Sequence, residues 1–366
     1  MFAMGWEKEE IERRACEKPR ETDDEEDDGI EDQNERDREV IRMDESSWMT
    51  VSQYRREWNE LYSRCYGSFE DTTRVPPMQF TDKPAPYHSC AFPMDTLQLF
   101  SVKIAATRGR SLQLPSDVFG MVAMRDSIDN NRNIVFQRTR DDCQTVTKED
   151  PYLVLTGPTR AVMVISSCPV IIEVDLKVKG TNDSADECLS FQVAPVVCFK
   201  STYSYLLNYA YTSKVSTLEF KLGHIVCSVE ATIFVRVTHG SWPDGLRGVF
   251  AAFTSGVCDR RAGYVFVGGR RITGIGHERI VLLDSRGERL PVSGDGKIEL
   301  SRRVVSAETS GKLTVRVSAL LEGDKDVVEN AESIFDTLEA GSSVGDLQFS
   351  FCKMEVAVFW SLIAMF

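Results

Sequence analysis

His239-Gly-Ser-Trp242-Pro-Asp244-Gly places an imidazole, an indole and a carboxylate on one turn braced by Gly and Pro. An indole offers a stacking face, and the two polar groups offer hydrogen bonds, so such a loop suits the lip of a sugar or peptide site. A Trp on such a turn more commonly closes the end of a β-sandwich core. Arg260, Arg261, Arg270 and Arg271, with Arg279, form a basic stretch that suits an anion or RNA contact. No stacking platform is interleaved with them, so a solvated loop is the plainer reading. Asp141-Asp142 and the Asp183/Asp186 pair suit the calcium loops of a C2-like sandwich. They fall short of the roughly six to eight oxygens that calcium takes.

Motifs for phosphate-loop, dinucleotide and zinc-helix chemistry are missing. The cluster Gly268-Gly-Arg-Arg-Ile-Thr-Gly-Ile-Gly276 lacks the Gly-Lys-Ser/Thr ending of a phosphate loop and the spacing of a dinucleotide fingerprint. His277-Glu278 begins like a zinc helix, but the second histidine position is Val281. His224 at a strand entry and His239 at a turn occupy ordinary structural places. The ten cysteines include no Cys-x-x-Cys pair, and Cys198, Cys227 and Cys352 sit in apolar β runs as small hydrophobes. No catalytic residue, metal site or cofactor is expected.

These residues need a scaffold. The net charge of −13 is concentrated in residues 1–45, which hold 19 acids and 8 bases, including Asp23-Asp-Glu-Glu-Asp-Asp28. The remainder, with 37 acids and 35 bases, is nearly neutral and gives no strong nucleic-acid signal. Residues 1–45 read as a disordered acidic tail, a spacer or a docking arm for a protein partner. Residues 46–67 read as an amphipathic helix, its stripe Trp48, Val51, Tyr54, Trp58, Leu61, Tyr62 and Cys65 available to the β domain or to a partner's groove. Ser46 or Ser47 would cap it and Gly67 would stop it. Residues 68–95, rich in proline, read as a linker. From Leu97 the period becomes two, including Leu97–Ala106, Thr217–Leu222, Ile225–Thr238 and Leu347–Met365; Asp326–Leu338 alone looks helical. Turn chemistry at Pro243-Asp-Gly245 and Ser293-Gly-Asp-Gly296 separates the runs. A mainly β domain over 96–366 follows, an antiparallel sandwich or barrel-like fold. The first residues lack an apolar secretory core, and the Val356–Phe366 run is too short to span a bilayer. A cytoplasmic or nuclear setting is the expectation.

One pattern recurs. Cys227-Ser-Val-Glu230-Ala-Thr-Ile-Phe234 resembles Cys352-Lys-Met-Glu355-Val-Ala-Val-Phe359. Asp117-Val-Phe-Gly-Met-Val-Ala pairs with Arg247-Gly-Val-Phe-Ala-Ala, and Glu173-Val-Asp-Leu-Lys-Val with Lys312-Leu-Thr-Val-Arg-Val. Two related β units, 97–230 and 231–366, are one explanation; the alternation common to all half-buried strands is the other.

Pro93-Met-Asp-Thr-Leu-Gln-Leu-Phe, Asp150-Pro-Tyr-Leu-Val-Leu-Thr-Gly-Pro, His239-Gly-Ser-Trp-Pro-Asp-Gly and Pro291-Val-Ser-Gly-Asp-Gly-Lys-Ile resemble a domain-of-unknown-function family expanded in grasses. The resemblance implies a plant protein with no active site to carry over, most simply a non-enzymatic binding or interaction module, with a stress or defence role. Some relatives are similar to proteins grouped with ribosome-inactivating N-glycosidases. That enzyme motif places Glu and Arg three apart on a helix, whereas Glu230 and Arg236 are six apart on a strand, about 20 Å. A hydrolase of that kind and a C2-like calcium or lipid module are the alternatives.

Overall fold

The period-two runs become strands. The computed structural model describes residues 40–44, 49–83, 90–107, 114–256, 264–267, 270–321 and 327–365. The chain begins with β1 (Val40–Asp44), α1 (Val51–Leu61), α2 (Ser63–Tyr66) and β2 (Cys90–Phe92). There follow β3 (Met94–Thr107), β4 (Ser116–Arg125), β5 (Asn133–Arg138), β6 (Gln144–Val146), β7 (Val170–Val178), β8 (Glu187–Val196) and β9 (Tyr205–Thr212). Next come β10 (Ser216–Gly240), β11 (Leu246–Ser255), β12 (Tyr264–Val267), β13 (Arg270–Thr273), β14 (Ile280–Asp284) and β15 (Val304–Glu308). The last are β16 (Lys312–Leu321), β17 (Val327–Asp336), β18 (Gly341–Gln348), β19 (Cys352–Ser361) and β20 (Ile363–Met365).

One seven-stranded sheet runs β1-β9-β10-β19-β18, with β3 and β15 also paired to β10. Its first half packs on the sheet β5-β4-β7-β8 around Leu99, Val122, Val174 and Phe220. Its second half packs on β14-β11-β16-β17 around Val235, Phe250, Val317 and Trp360. The two covering sheets share one plan, matching strand for strand in chain order. Likewise β3, β10 and β9 in the first sandwich correspond to β10, β19 and β18 in the second. The runs at 117–123 and 247–252 thus fall on the equivalent strands β4 and β11, and those at 173–178 and 312–317 on β7 and β16, whereas the Cys227 and Cys352 runs fall on strands paired with each other. Residue 230, the expected boundary between units, lies inside β10, a single 25-residue strand that takes part in both sandwiches.

At the joint, β10 shifts register against β3 between Ile225 and Ser228, and Cys227 takes φ +43°. Asp95 braces this bulge, accepting from the Cys227 amide (3.0 Å) and meeting His224 Nε2 at 3.1 Å. The buried Arg302 guanidinium donates to Leu99 and Phe100 carbonyls on β3 and to Val281 on β14, tying the sandwiches together.

Several expectations are corrected. Within the run read as helical, Val327–Asp336 form strand β17. Its Ser333 and Phe335 turn inward, and pairing with β16 outweighs the helical leaning of Glu and Ala. Gly223-His224 does not break β10, so His224 sits within a strand. Of the three cysteines read as buried, Cys352 is buried, Cys198 is half-buried and Cys227 is exposed. The final residues of the acidic tail form β1, parallel to β9; residues 1–39 lie outside the described residues. Helix α1 is capped by a Thr50/Gln53 box. Its Val51, Tyr54 and Trp58 pack on Phe69, Ile171 and Val193, while Leu61 and Cys65 of the same stripe stay exposed.

The proline-rich run is not a free linker. Arg125 lies 4.4 Å from the Phe69 ring and 4.6 Å from that of Trp58, and bonds Glu173 at 2.9 Å. Further on, the chain becomes a strap across the outer face of the second sandwich. Met78 donates its amide to Glu230 (2.8 Å), Phe80 to Ser361 Oγ (2.9 Å), and Thr81 its hydroxyl to the Trp360 carbonyl (2.9 Å).

Candidate functional site

The strap covers part of that outer face over residues 78–81. Beyond Met78 lies a cleft of about 440 Å³ lined by Phe234, Arg236, Lys297, Glu355, Ala357 and Phe359. Strand alternation sends Phe234 and Arg236 of β10 outward, while Val235 enters the core. The register then sets Phe234 opposite Ala357, and Arg236 opposite Glu355. Phe359 lies one pair further on, and its ring meets Phe234 edge to face at 5.5 Å. Both rings stay half-buried.

Cations line one side of this aromatic pair. Residues 296–303 run beside β10, with Ile298 donating its amide to the Val235 carbonyl (2.9 Å) and Ile233 to that of Arg303 (2.9 Å). This path brings Lys297 Nζ to 5.6 Å and Arg303 Cζ to 5.2 Å from the Phe234 ring centre. Each such contact is worth about 0.5–1 kcal/mol at exposed sites. On the other side, β18 sets Val344, 63% exposed, opposite Ala357. Across the face the order is cation, ring, ring, aliphatic edge. Such a surface can take a ligand with an apolar body and a negative charge.

The first sandwich provides an internal comparison. Its Lys103 and Glu219 are register partners, as Arg236 and Glu355 are in the second. The adjacent row in the first sandwich is Ser101 and Lys221, and Lys221 is ion-paired to Glu278 at 3.0 Å. In the second sandwich that row is Phe234 and Ala357. The apolar row belongs to one copy of the plan.

The loop residues singled out by sequence lie elsewhere. Trp242 and Asp244 help line a cleft of about 780 Å³ with Arg289 and Asp295; His239, exposed near the end of β10, does not. Trp242 turns inward, its ring 5.5 Å from Phe349 and 5.3 Å from Phe351, and its indole N–H bonds the Leu246 carbonyl (2.9 Å). Asp244 and Arg289, both almost fully exposed, face each other at 3.8 Å. Ser293 and the Lys297 amide occupy the Asp295 carboxylate and hold its pKa below the ordinary value. Arg260 and Arg261 lie outside the described residues. Arg270 and Arg271 belong to β13, paired with β12.

Other chemically suggestive groups are committed to structure. Burial, then the negative charges of Asp95 and Glu308, push the Cys227 thiol up, so it is a poor nucleophile. His224 is buried edge-on to Tyr205 with Nδ1 unpartnered. Glu230 is buried under the strap, accepting from the amides of Met78 and Ala161 (2.7 Å); burial raises its pKa against these bonds. Asp183 and Asp186 both bond Arg140 at 3.0 Å, and Asp142 bonds Arg138 at 2.6 Å, which spends their charge on arginine. Among the described residues no helix is long and apolar enough to cross a membrane.

Compared with known families, residues 96–358 match the model described as "Domain of unknown function (DUF6598)". Among curated proteins none matches. Among solved structures, human GIVD cytosolic phospholipase A2 is similar over 74% of this chain and 33% of its own, with 6% identity and a TM-score of 0.21. The calcium-bound pair of C2 domains of extended-synaptotagmin 2 aligns over 75% of this chain and 98% of its own, with 10% identity and a TM-score of 0.23. Scores this low leave both as likenesses only.

Proposed function

The chain belongs to the DUF6598 family, whose description assigns no activity, and from its outward aromatic pair we propose that it is a non-enzymatic binding module. The recognition surface is the cleft at Phe234 and Phe359. The observation that carries this reading is the contrast between the sandwiches: where one has Ser101 and an ion-paired Lys221, the other has Phe234 and Ala357 beside two half-buried rings and flanking cations. Apolar rings kept at a surface by fixed strands lose little freedom on binding, and the cations beside them, of which Lys297 already lies 3.7 Å from Glu299, can add contacts to an anionic group. The ligand class is a peptide segment that combines acidic with aromatic or aliphatic side chains. The engagement of Glu230 by two backbone amides speaks against the glycosidase-like alternative, and the Arg140–Asp183–Asp186 cluster against the calcium alternative.

Fluorescence anisotropy of a labelled peptide alternating Asp with Trp tests the reading. The wild-type chain should bind it, and the double variant Phe234→Ser/Phe359→Ser should bind at least roughly ten-fold more weakly while melting as a folded protein. Equal binding by the two would refute the assignment of the surface.

A further inference from the structure

Resting on that reading, we infer that Thr232 is the cleft's polar anchor, its Oγ1 accepting a main-chain amide from a bound segment that crosses the strands beside the strap.

Alternation places Glu230, Thr232, Phe234 and Arg236 on the same outward side of β10. Thr232 therefore stands between the strap anchor Glu230 and the ring of Phe234. Its register partners are Phe359 on β19 and Val304 on β15. Met78, Phe234 and Phe359 line the cleft at this end. Thr232 is 1% exposed, and among the described residues its Oγ1 has no hydrogen-bond partner.

The comparable polar groups are engaged. Glu230 accepts two amides, and Ser361 Oγ accepts that of Phe80. The next row along, past a register shift in the first sandwich, pairs Gln98 with Gly223 there and Thr232 with Phe359 in the second. The Gln98 side chain donates to the Leu99 carbonyl (3.1 Å) and accepts from the Ser306 amide (2.9 Å). Thr254 is the other buried hydroxyl without a partner among the described residues, and it shares the core-facing side of β11 with Phe250 and Ala252. Only Thr232 combines an unpaired hydroxyl with a place at a cleft. An unpaired buried hydroxyl lowers stability, and a ligand amide would satisfy it.

The strap shows how a segment uses this face. Its Met78 and Phe80 amides, two residues apart, meet Glu230 and Ser361, which are register partners on adjacent strands. The strap thus runs across the strands with main-chain N–H groups directed at outward side chains. A second extended segment laid beside it meets the row of Thr232 and Phe359 next, and its side chains fall on Phe234 and Ala357. Met78, unbranched and adaptable, turns aside to admit the amide.

The test titrates the peptide alternating Asp with Trp against wild type, Thr232→Val and Thr232→Ser by fluorescence anisotropy, with the melting of each chain recorded. Thr232→Val keeps the shape and removes the hydroxyl. It should bind about ten-fold more weakly and melt no lower than wild type, whereas Thr232→Ser should stay within about two-fold. Peptides N-methylated at one amide at a time give a second arm. Methylation at one position should weaken binding to wild type about ten-fold and to Thr232→Val no further. Equal affinity of wild type and Thr232→Val, a joint loss of binding and melting temperature in Thr232→Val, or equal effects of methylation on both chains overturns the inference and leaves the surface standing. Absence of peptide binding by wild type removes the surface itself.

Discussion

Cys227 and Cys352 open two runs that look alike in sequence, yet their side chains do different work. Cys227 stands exposed on the bulge with φ +43°, whereas Cys352 is buried in the second core. Their glutamates diverge as well: Glu230 anchors the strap and Glu355 lines the cleft. Spacing alone could not reveal this, because burial depends on what lies across the strand. A left-handed non-glycine residue costs roughly 1 kcal/mol. Cys227→Gly should therefore raise stability by up to about that amount in urea unfolding; a loss would mean the thiol contributes packing that outweighs the strain. Asp95, which braces the same bulge, has its pKa held below 3.8: burial pushes it up, but the bonds from His224 and the Cys227 amide prevail. A lowered folded value means that the stabilisation is complete above the unfolded value and disappears as pH falls through the folded one. Wild type should lose this increment on acidification below about pH 3.8, and Asp95→Asn should show a flatter acid limb in the same titration.

The elements were legible where alternation met turn chemistry. Ser293 and Gly296 close the expected turn, and Leu97 onward alternates as β3 requires. Strand β9 carries no sequence signal of its own, because Tyr-Leu-Leu-Asn-Tyr-Ala-Tyr-Thr is buried on both faces and shows no period. The strap escaped for a different reason. Its prolines signal an extended chain, but its anchors Glu230, Trp360 and Ser361 lie far along the sequence. Helix α1 was readable from its stripe, and the structure adds its purpose. Trp58 is 0% exposed, wedged between Tyr62, Phe69 and Arg125. Trp58→Ala should cost about 3–5 kcal/mol in chemical denaturation. A change below about 1 kcal/mol would show that the helix is an appendage and not part of the first sandwich.

At the scale of the molecule, the plan of one sandwich is repeated in the next, and the two share β10. Their cores are joined further by Arg302, which reaches carbonyls of both. A shared strand makes unfolding of one half expensive for the other, so calorimetry should give one transition. Arg302→Met takes this donor from the Phe100 and Val281 carbonyls, while Leu99 keeps the Gln98 side-chain amide (3.1 Å); at roughly 1–3 kcal/mol for each group left unsatisfied, it should begin to separate the halves. The paired runs at 117–123/247–252 and 173–178/312–317 were visible in sequence, but the cleft was not. Phe234 and Phe359 stood out only as landmarks of an alignment, and it takes the β10–β19 register to bring their rings together. Hydrogen–deuterium exchange of the full chain, with and without the Asp/Trp peptide, tests that surface most directly. Added protection is predicted in β10 at 232–238, in 296–303 and in β19. Protection confined to 239–245 and 288–296, or no protection at all, would contradict a binding surface at Phe234 and Phe359.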